Sequence, residues 1–256
     1  MKRGVVTPVC SLVSLSGLLF ACEAVGIRGI IFPKTSKKKG NMIKNILFDF
    51  DGTLADTAQG IVETLRESFV RLGQPAPTEE EMVATIGRPL WKAFQTLGNM
   101  TEEEAHKAVK VYAGLFMQYE IPNIRMFQGV TAMLEQFAER GIRMAIVTSR
   151  DRHSLDLILQ NNGIDKYFET EVTVDDHLTP KPAPDMVLAL LERMEIRADE
   201  TLVVGDTTFD IEMGNHAGCG TCAVTWGNHS CELLATVCPD LIIDDLDSLY
   251  HEVVTN

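Results

Sequence analysis

The stretch Ile46-Leu47-Phe48-Asp49-Phe50-Asp51-Gly52-Thr53-Leu54 decides the fold. An apolar run ends in an aspartate, a second aspartate follows two residues on, and Gly-Thr then forces a turn. A buried strand that carries carboxylates to its own C-terminal end reads this way. In open α/β sheets ligands bind in the crevice beyond the strand C-termini, so both aspartates are expected at a functional site.

Working outward, residues 57–120 read as helix throughout. Ile61, Leu65, Phe69 and Leu72 recur at helical spacing from Thr57 to Leu72. Thr78 with Glu81, and Thr101 with Glu104, are capping boxes for two further helices. Gly87-Arg88-Pro89 breaks the pattern between them, and Pro89 is suited to open a helix through Leu97. From Gly129 onward apolar strands alternate with helices: strands at Ile142–Val147, Phe168–Val172, Leu202–Val204, Thr221–Thr225 and Asp240–Ile243. Helix-length connections between strands imply a parallel sheet with helices on both faces. The expected fold class is therefore α/β, a Rossmann-like parallel sheet with an inserted helical module. Residues 42–56 and 121–256 form the core, and 57–120 the insert.

The charge balance restricts partners. The chain carries −13 overall, and residues 1–41 hold seven Lys or Arg against one Glu, so residues 42–256 carry −19. This argues against nucleic acid as a partner. An acidic protein that binds an anion must supply local positive charge through a metal or a few placed cations.

Lys2 and Arg3 precede the uncharged stretch Gly4–Ala21, which is signal-peptide grammar, and Leu19-Phe20-Ala21-Cys22 is similar to a lipoprotein cleavage box. Residues 1–41 are expected to be a leader or unstructured extension outside the folded protein. A chain that begins at Met42 would be a complete domain, and the expected location is cytoplasmic. The alternative is export or a lipid anchor at Cys22, the one route to a membrane. Cys219 and Cys222, with Cys231, Cys238, His216 and His229 nearby, invite a zinc reading. An offset of three along a strand puts the first two on opposite faces, which favours small buried thiols.

Four strand or loop ends carry polar groups: Asp49/Asp51, Thr148/Ser149, Lys181 and Asp206/Asp210. Parallel strands bring such ends to one sheet edge. In order they read Asp49-Phe-Asp51-Gly-Thr, Val147-Thr148-Ser149, Lys181-Pro-Ala-Pro and Gly205-Asp206-Thr-Thr-Phe-Asp210. This order resembles the haloacid dehalogenase superfamily of phosphohydrolases, from Met42 to the C-terminus. Residues 57–120 fall where that superfamily inserts its helical cap. Leu202–Val224 and Pro239–Asp244 look like the phosphoglycolate phosphatase-like branch.

The resemblance implies a Mg2+-dependent phosphatase for a small phosphorylated metabolite, with an aspartyl-phosphate intermediate. Asp49 would be the nucleophile, and Asp51 the general acid and base. Thr148 and Lys181 would contact the phosphoryl oxygens, with Ser149 assisting. Asp49, the Asp51 carbonyl and Asp206 would hold the metal, with Asp210 acting through water. Asp51 separates this pattern from the dehalogenating members, which lack an acid there. Arg88, in the helical break, is a candidate for a second anionic group of the substrate. Arg150 and His153 are expected to be exposed residues at a helix start. Three rival readings use the same fold: a phosphomutase, a phosphonate hydrolase with Lys92 as its Schiff base, and a non-catalytic binding protein. The intact set of Asp49, Asp51, Lys181 and Asp206 counts against the last.

Overall fold

The structure, a computed structural model, describes residues 30–31 and 42–255. The signal-like stretch, Cys10 and Cys22 lie outside the described residues. Of the forty-one positions read as leader, Ile30–Ile31 forms a short strand, β1.

The strands that follow are β2 Asn45–Phe48, β3 Ala55–Asp56, β4 Arg125–Met126, β5 Arg143–Val147, β6 Glu171–Val172, β7 Thr201–Gly205, β8 Gly220–Val224 and β9 Leu241–Ile243. The main sheet has the order β1-β9-β8-β7-β2-β5-β6. Its six strands from β9 to β6 run parallel, and β1 joins β9 antiparallel. The expected α/β class is what forms. β2 lies in the middle, paired residue for residue with β5 and β7, for instance Phe48 with Ile146 and Val204.

Side chains alternate across this sheet, as the pleat requires. Ile46 and Phe48 enter one apolar cluster with Met144, Ile146, Leu202 and Val204. Leu47 enters another on the opposite face with Ala145, Val147 and Val203. Both faces are buried, which is why the strand reads as a continuous apolar run and not as an alternation. Cys222 belongs to the first cluster and Cys219 to the second, so the two thiols are on opposite faces of the sheet.

Between β3 and β4 stand four helices: α1 Ala58–Arg71, α2 Glu79–Val83, α3 Leu90–Gly98 and α4 Glu102–Tyr119. Both expected capping boxes form, at Thr78 with Glu81 and at Thr101 with Glu104. These helices bury a cluster of their own, which includes Leu65, Phe69, Met82, Phe94 and Tyr112. The chain leaves and re-enters the core on the β3–β4 ribbon, where Asp56 faces Arg125. Two residues per strand are too few for a periodicity to register, so the ribbon has no sequence signature.

The remaining helices, α5 Val130–Glu139, α6 Arg152–Asn162, α7 Asp185–Arg193, α8 Thr208–Ala217, α9 Cys231–Ala235 and α10 Leu246–Thr255, cover the sheet. Phe137 on α5 is fully buried between Phe48 and Tyr250, with ring centroids 6.5 and 5.6 Å away. Phe137→Ala is expected to lower unfolding free energy by roughly 3–5 kcal/mol in urea titration, the usual loss for a phenylalanine deleted from a close-packed core.

Candidate active site

The turn after β2 folds back at once. Leu54 N donates to Phe50 O at 3.0 Å, and Gly52 N donates to Ala55 O at 2.8 Å. Gly52 has φ +83°, and a Cβ there would lie 2.2 Å from Asp206 Oδ2. Gly227 is under the same constraint, with Asp206 Cβ at 2.3 Å from the position of its missing Cβ. The two backbones close on the Asp206 carboxylate because neither carries a side chain.

Asp49, Asp206 and Asp210 are all buried, and one carboxylate oxygen from each lies within 4.8 Å of the others. Lys181 links two of them. Its amine donates to Asp49 Oδ1 and to Asp210 Oδ1, each at 2.6 Å. Burial alone would lower the proton affinity of this amine, but the charges of Asp210 and Asp49 more than reverse that, and its pKa is raised. Asp210 Oδ2 accepts from the amide and the hydroxyl of Thr207, at 3.0 and 2.6 Å, so Asp210 also caps α8. Asp206 depends on neutral donors: Thr53 Oγ1 at 3.0 Å, Asn228 N at 2.7 Å and Asn228 Nδ2 at 2.8 Å.

These partners do not cancel the repulsion. Burial, then the nearby Asp210 charge, push the Asp206 carboxyl up to about 7. The same two causes raise Asp49 well above the usual carboxylate range, against the pull of Lys181. Asp49 Oδ2 is buried and accepts no hydrogen bond from the described residues. A buried acidic triad with one bare carboxylate oxygen suits a hard cation with oxygen preference.

The second pair of carboxylates has a different partner. Arg150 donates from Nε to Asp51 Oδ2 at 3.1 Å and from Nη2 to Asp51 Oδ1 at 2.5 Å. Its Nη1 lies 2.6 Å from Glu120 Oε1, and Tyr112 donates its hydroxyl to Glu120 Oε2. The Arg150 side chain is only 6% exposed, which corrects the expectation of an exposed helix-start residue. The helix begins two residues later, at Arg152, so Arg150 stays in the turn and its fork reaches inward to two carboxylates. His153 does lie exposed on the first turn of α6.

Other expected residues divide between the turns beside Asp49 and the loop above them. Thr148 is buried and its hydroxyl accepts from Arg150 N at 3.2 Å. Ser149 donates its hydroxyl to Gly87 O at 2.8 Å, so its side chain holds the loop between α2 and α3. Arg88 on that loop is exposed and its guanidinium stands 4.8 Å over the ring of Phe209. Lys92 rests its amine 5.4 Å over Trp91 and does not line the cavity above Asp49. That cavity, of about 650 Å3, is bounded by Asp49, Asp51, Thr148 and Arg150 on the core side and by the α1, α3 and α4 helices above.

A family profile described as haloacid dehalogenase-like hydrolase matches residues 46–224. The chain belongs to that family. "Probable phosphatase IndB" of Dickeya dadantii is 36% identical over 78% of this chain and 88% of its own. Pyrophosphatase PpaX of Anoxybacillus flavithermus is 30% identical over 81% of this chain and 95% of its own. Phosphoglycolate phosphatase of Vibrio parahaemolyticus is 29% identical over 84% and 97%. A crystal structure described as a haloacid dehalogenase-like hydrolase of Bacteroides fragilis superposes with a TM-score of 0.77 at 28% identity, over 81% of this chain and 99% of that one. As a haloacid dehalogenase-like hydrolase the protein is an enzyme. No helix among the described residues is long and apolar enough to cross a membrane.

Sequence reasoning missed Thr53, Glu120, Tyr112, Thr207 and Asn228. Thr53 and Asn228 follow strand C-termini at the edge already chosen for Asp49, so the rule that selected Asp49 extends to them. Glu120 and Tyr112 sit on the helical insert, where only three-dimensional packing reveals them. Arg150→Ala strands Glu120 and Asp51 without their cation. It is expected to lower unfolding free energy by roughly 3–5 kcal/mol. Lys44→Ala, which removes a largely exposed bridge to Glu200, is expected to cost under about 1 kcal/mol in the same urea titration.

Proposed function

We propose that the enzyme is a Mg2+-dependent phosphatase that hydrolyses a small phosphomonoester through a phosphorylated Asp49. The observation that carries this reading is Asp49 itself. One oxygen is fixed by Lys181, the other is bare, and the residue lines the cavity. An oriented carboxylate with one unbonded oxygen is a nucleophile in waiting, provided the charge of the substrate is masked.

Asp49, Asp206 and the Asp51 carbonyl are the groups that would hold Mg2+. Asp210, committed to Lys181 and Thr207, would act from behind them. When bound, the ion would neutralise phosphoryl charge and favour approach of an anionic attacker. Lys181 favours the ionised form of Asp49, against burial and the Asp210 charge, and would lend its own charge to the phosphoryl oxygens. Thr148 accepts from Arg150 N through its hydroxyl oxygen and would give its hydroxyl hydrogen to a substrate oxygen.

In the first step the Asp49–phosphorus bond forms and the bond to the leaving oxygen breaks. Asp51 supplies the proton that the alcohol takes away. In the second, water attacks phosphorus, Asp51 receives its proton and Asp49 is freed with orthophosphate. Both Asp51 oxygens accept from Arg150. Proton transfer therefore requires one of those bonds to open, or to be shared with the incoming substrate. Residues 57–120 act in this scheme as a cap, fastened to the core by Ser149 to Gly87 and by Arg150 to Glu120.

The test is orthophosphate release from a panel of phosphomonoesters with Mg2+ and with EDTA. Wild-type protein is expected to release phosphate only with Mg2+, and Asp49→Asn to release none. Asp51→Asn is expected to slow turnover by roughly 10²–10⁴-fold, the usual range for a lost general acid and base. Undiminished Mg2+-dependent release by Asp49→Asn would end the proposal.

A further inference from the structure

The cavity above Asp49 has two unlike ends. The core end holds Asp49, Asp51, Thr148 and Arg150. The far end, within the helices, is walled by Ile61, Leu65, Leu90, Trp91, Val109 and Phe116. At about 650 Å3 the space matches ligands well above the size of glycolate or orthophosphate.

The position of the cations decides what belongs there. Arg88 and Arg150 are the arginines among the lining residues, His106, His153 and His177 the histidines, and no lysine lines the cavity. Arg150 is spent on Asp51 and Glu120. Arg88 stacks on Phe209, next to the Thr207 turn on the core side, and Gly87 beside it packs against that turn. A leaving group with its own carboxylate or phosphate would reach into apolar walls and toward Glu120, where the lining residues of α1, α3 and α4 include His106 but no arginine or lysine. Desolvating such an anion is costly. An aryl or alkyl body instead gains by leaving water. Trp91 adds aromatic surface to this wall, with His106 stacked 5.7 Å from its ring and the Lys92 amine 5.4 Å over it.

We propose that the preferred substrate is a phosphomonoester of an uncharged alcohol with an aromatic or alkyl body, seated against Ile61, Trp91 and Val109. This rests on the phosphatase reading of Asp49 and narrows it. Phosphoglycolate and pyrophosphate, the substrates that two relatives' names carry, become poor substrates of this chain.

Two measurements test the proposal separately from the reaction. The first is kcat/KM with Mg2+ for phenyl phosphate, hexyl phosphate, phosphoglycolate and pyrophosphate. Phenyl and hexyl phosphate are expected to exceed the other two by at least roughly tenfold. Ala113→Phe, which fills the chamber from α4, is expected to reduce the ratio of phenyl phosphate to phosphoglycolate at least about fivefold, mainly through KM. The second is calorimetric binding of benzylphosphonate and 3-phosphonopropionate, unreactive counterparts of the phenyl and glycolate esters. Benzylphosphonate is expected to bind at least roughly tenfold tighter. Equal or reversed preference in binding, or a lead for phosphoglycolate or pyrophosphate in turnover, would overturn the proposal. If no ester is hydrolysed but the binding preference holds, the phosphatase reading fails and the chamber assignment stands.

Discussion

The structure depends on one buried amine. Lys181 stands between Asp49 and Asp210 and donates to both, in a place where three carboxylates crowd beyond the ends of β2 and β7. Without that charge the cluster would be an uncompensated set of anions in a low-dielectric interior. With it, Asp49 and Asp210 are held in fixed positions, but the positive charge is still too little for three acids. The raised carboxyls of Asp49 and Asp206 are the sign of that deficit. A site left short of positive charge suits a cation, and the proposed function has that cation mask the charge of the substrate.

The parallel sheet makes this arrangement available. β2 lies between β5 and β7 with its carboxyl end at the same edge, so the Asp49, Thr148 and Asp206 turns emerge side by side. The chain then spends glycines where backbone must close on a carboxylate, at Gly52 and Gly227. A second ion chain leads from Asp51 through Arg150 to Glu120 and Tyr112 at the end of α4. It ties the proposed acid and base to the helices above through a single arginine.

Much of this was legible in the sequence, for definite reasons. The apolar run into Asp49 marks a strand buried on both faces, and capping boxes at Thr78 and Thr101 mark where two helices begin. The order of the four motifs carried the family. Arg150 was misread because a charged residue just before a helix is exposed in most proteins, and only the fold brings Asp51 and Glu120 to it. Asn228 and Thr53 were missed because an amide or hydroxyl that serves a carboxylate looks like any loop residue. The chamber's character was also hidden, since Ile61, Leu65, Trp91 and Val109 have the spacing of ordinary core-facing helix residues. They also pack into the insert's own apolar cluster, and the cavity beside them is visible only in the fold.

The central claim is that Asp49 takes the phosphoryl group. The most direct measurement is peptide mapping by mass spectrometry of Asp51→Asn protein, acid-quenched during turnover of phenyl phosphate with Mg2+. The account predicts one added phosphoryl group, on the peptide that contains Asp49 and on Asp49 itself, removed by hydroxylamine as an acyl phosphate would be. A phosphoryl group on any other residue, or none while orthophosphate is still being released, would contradict it.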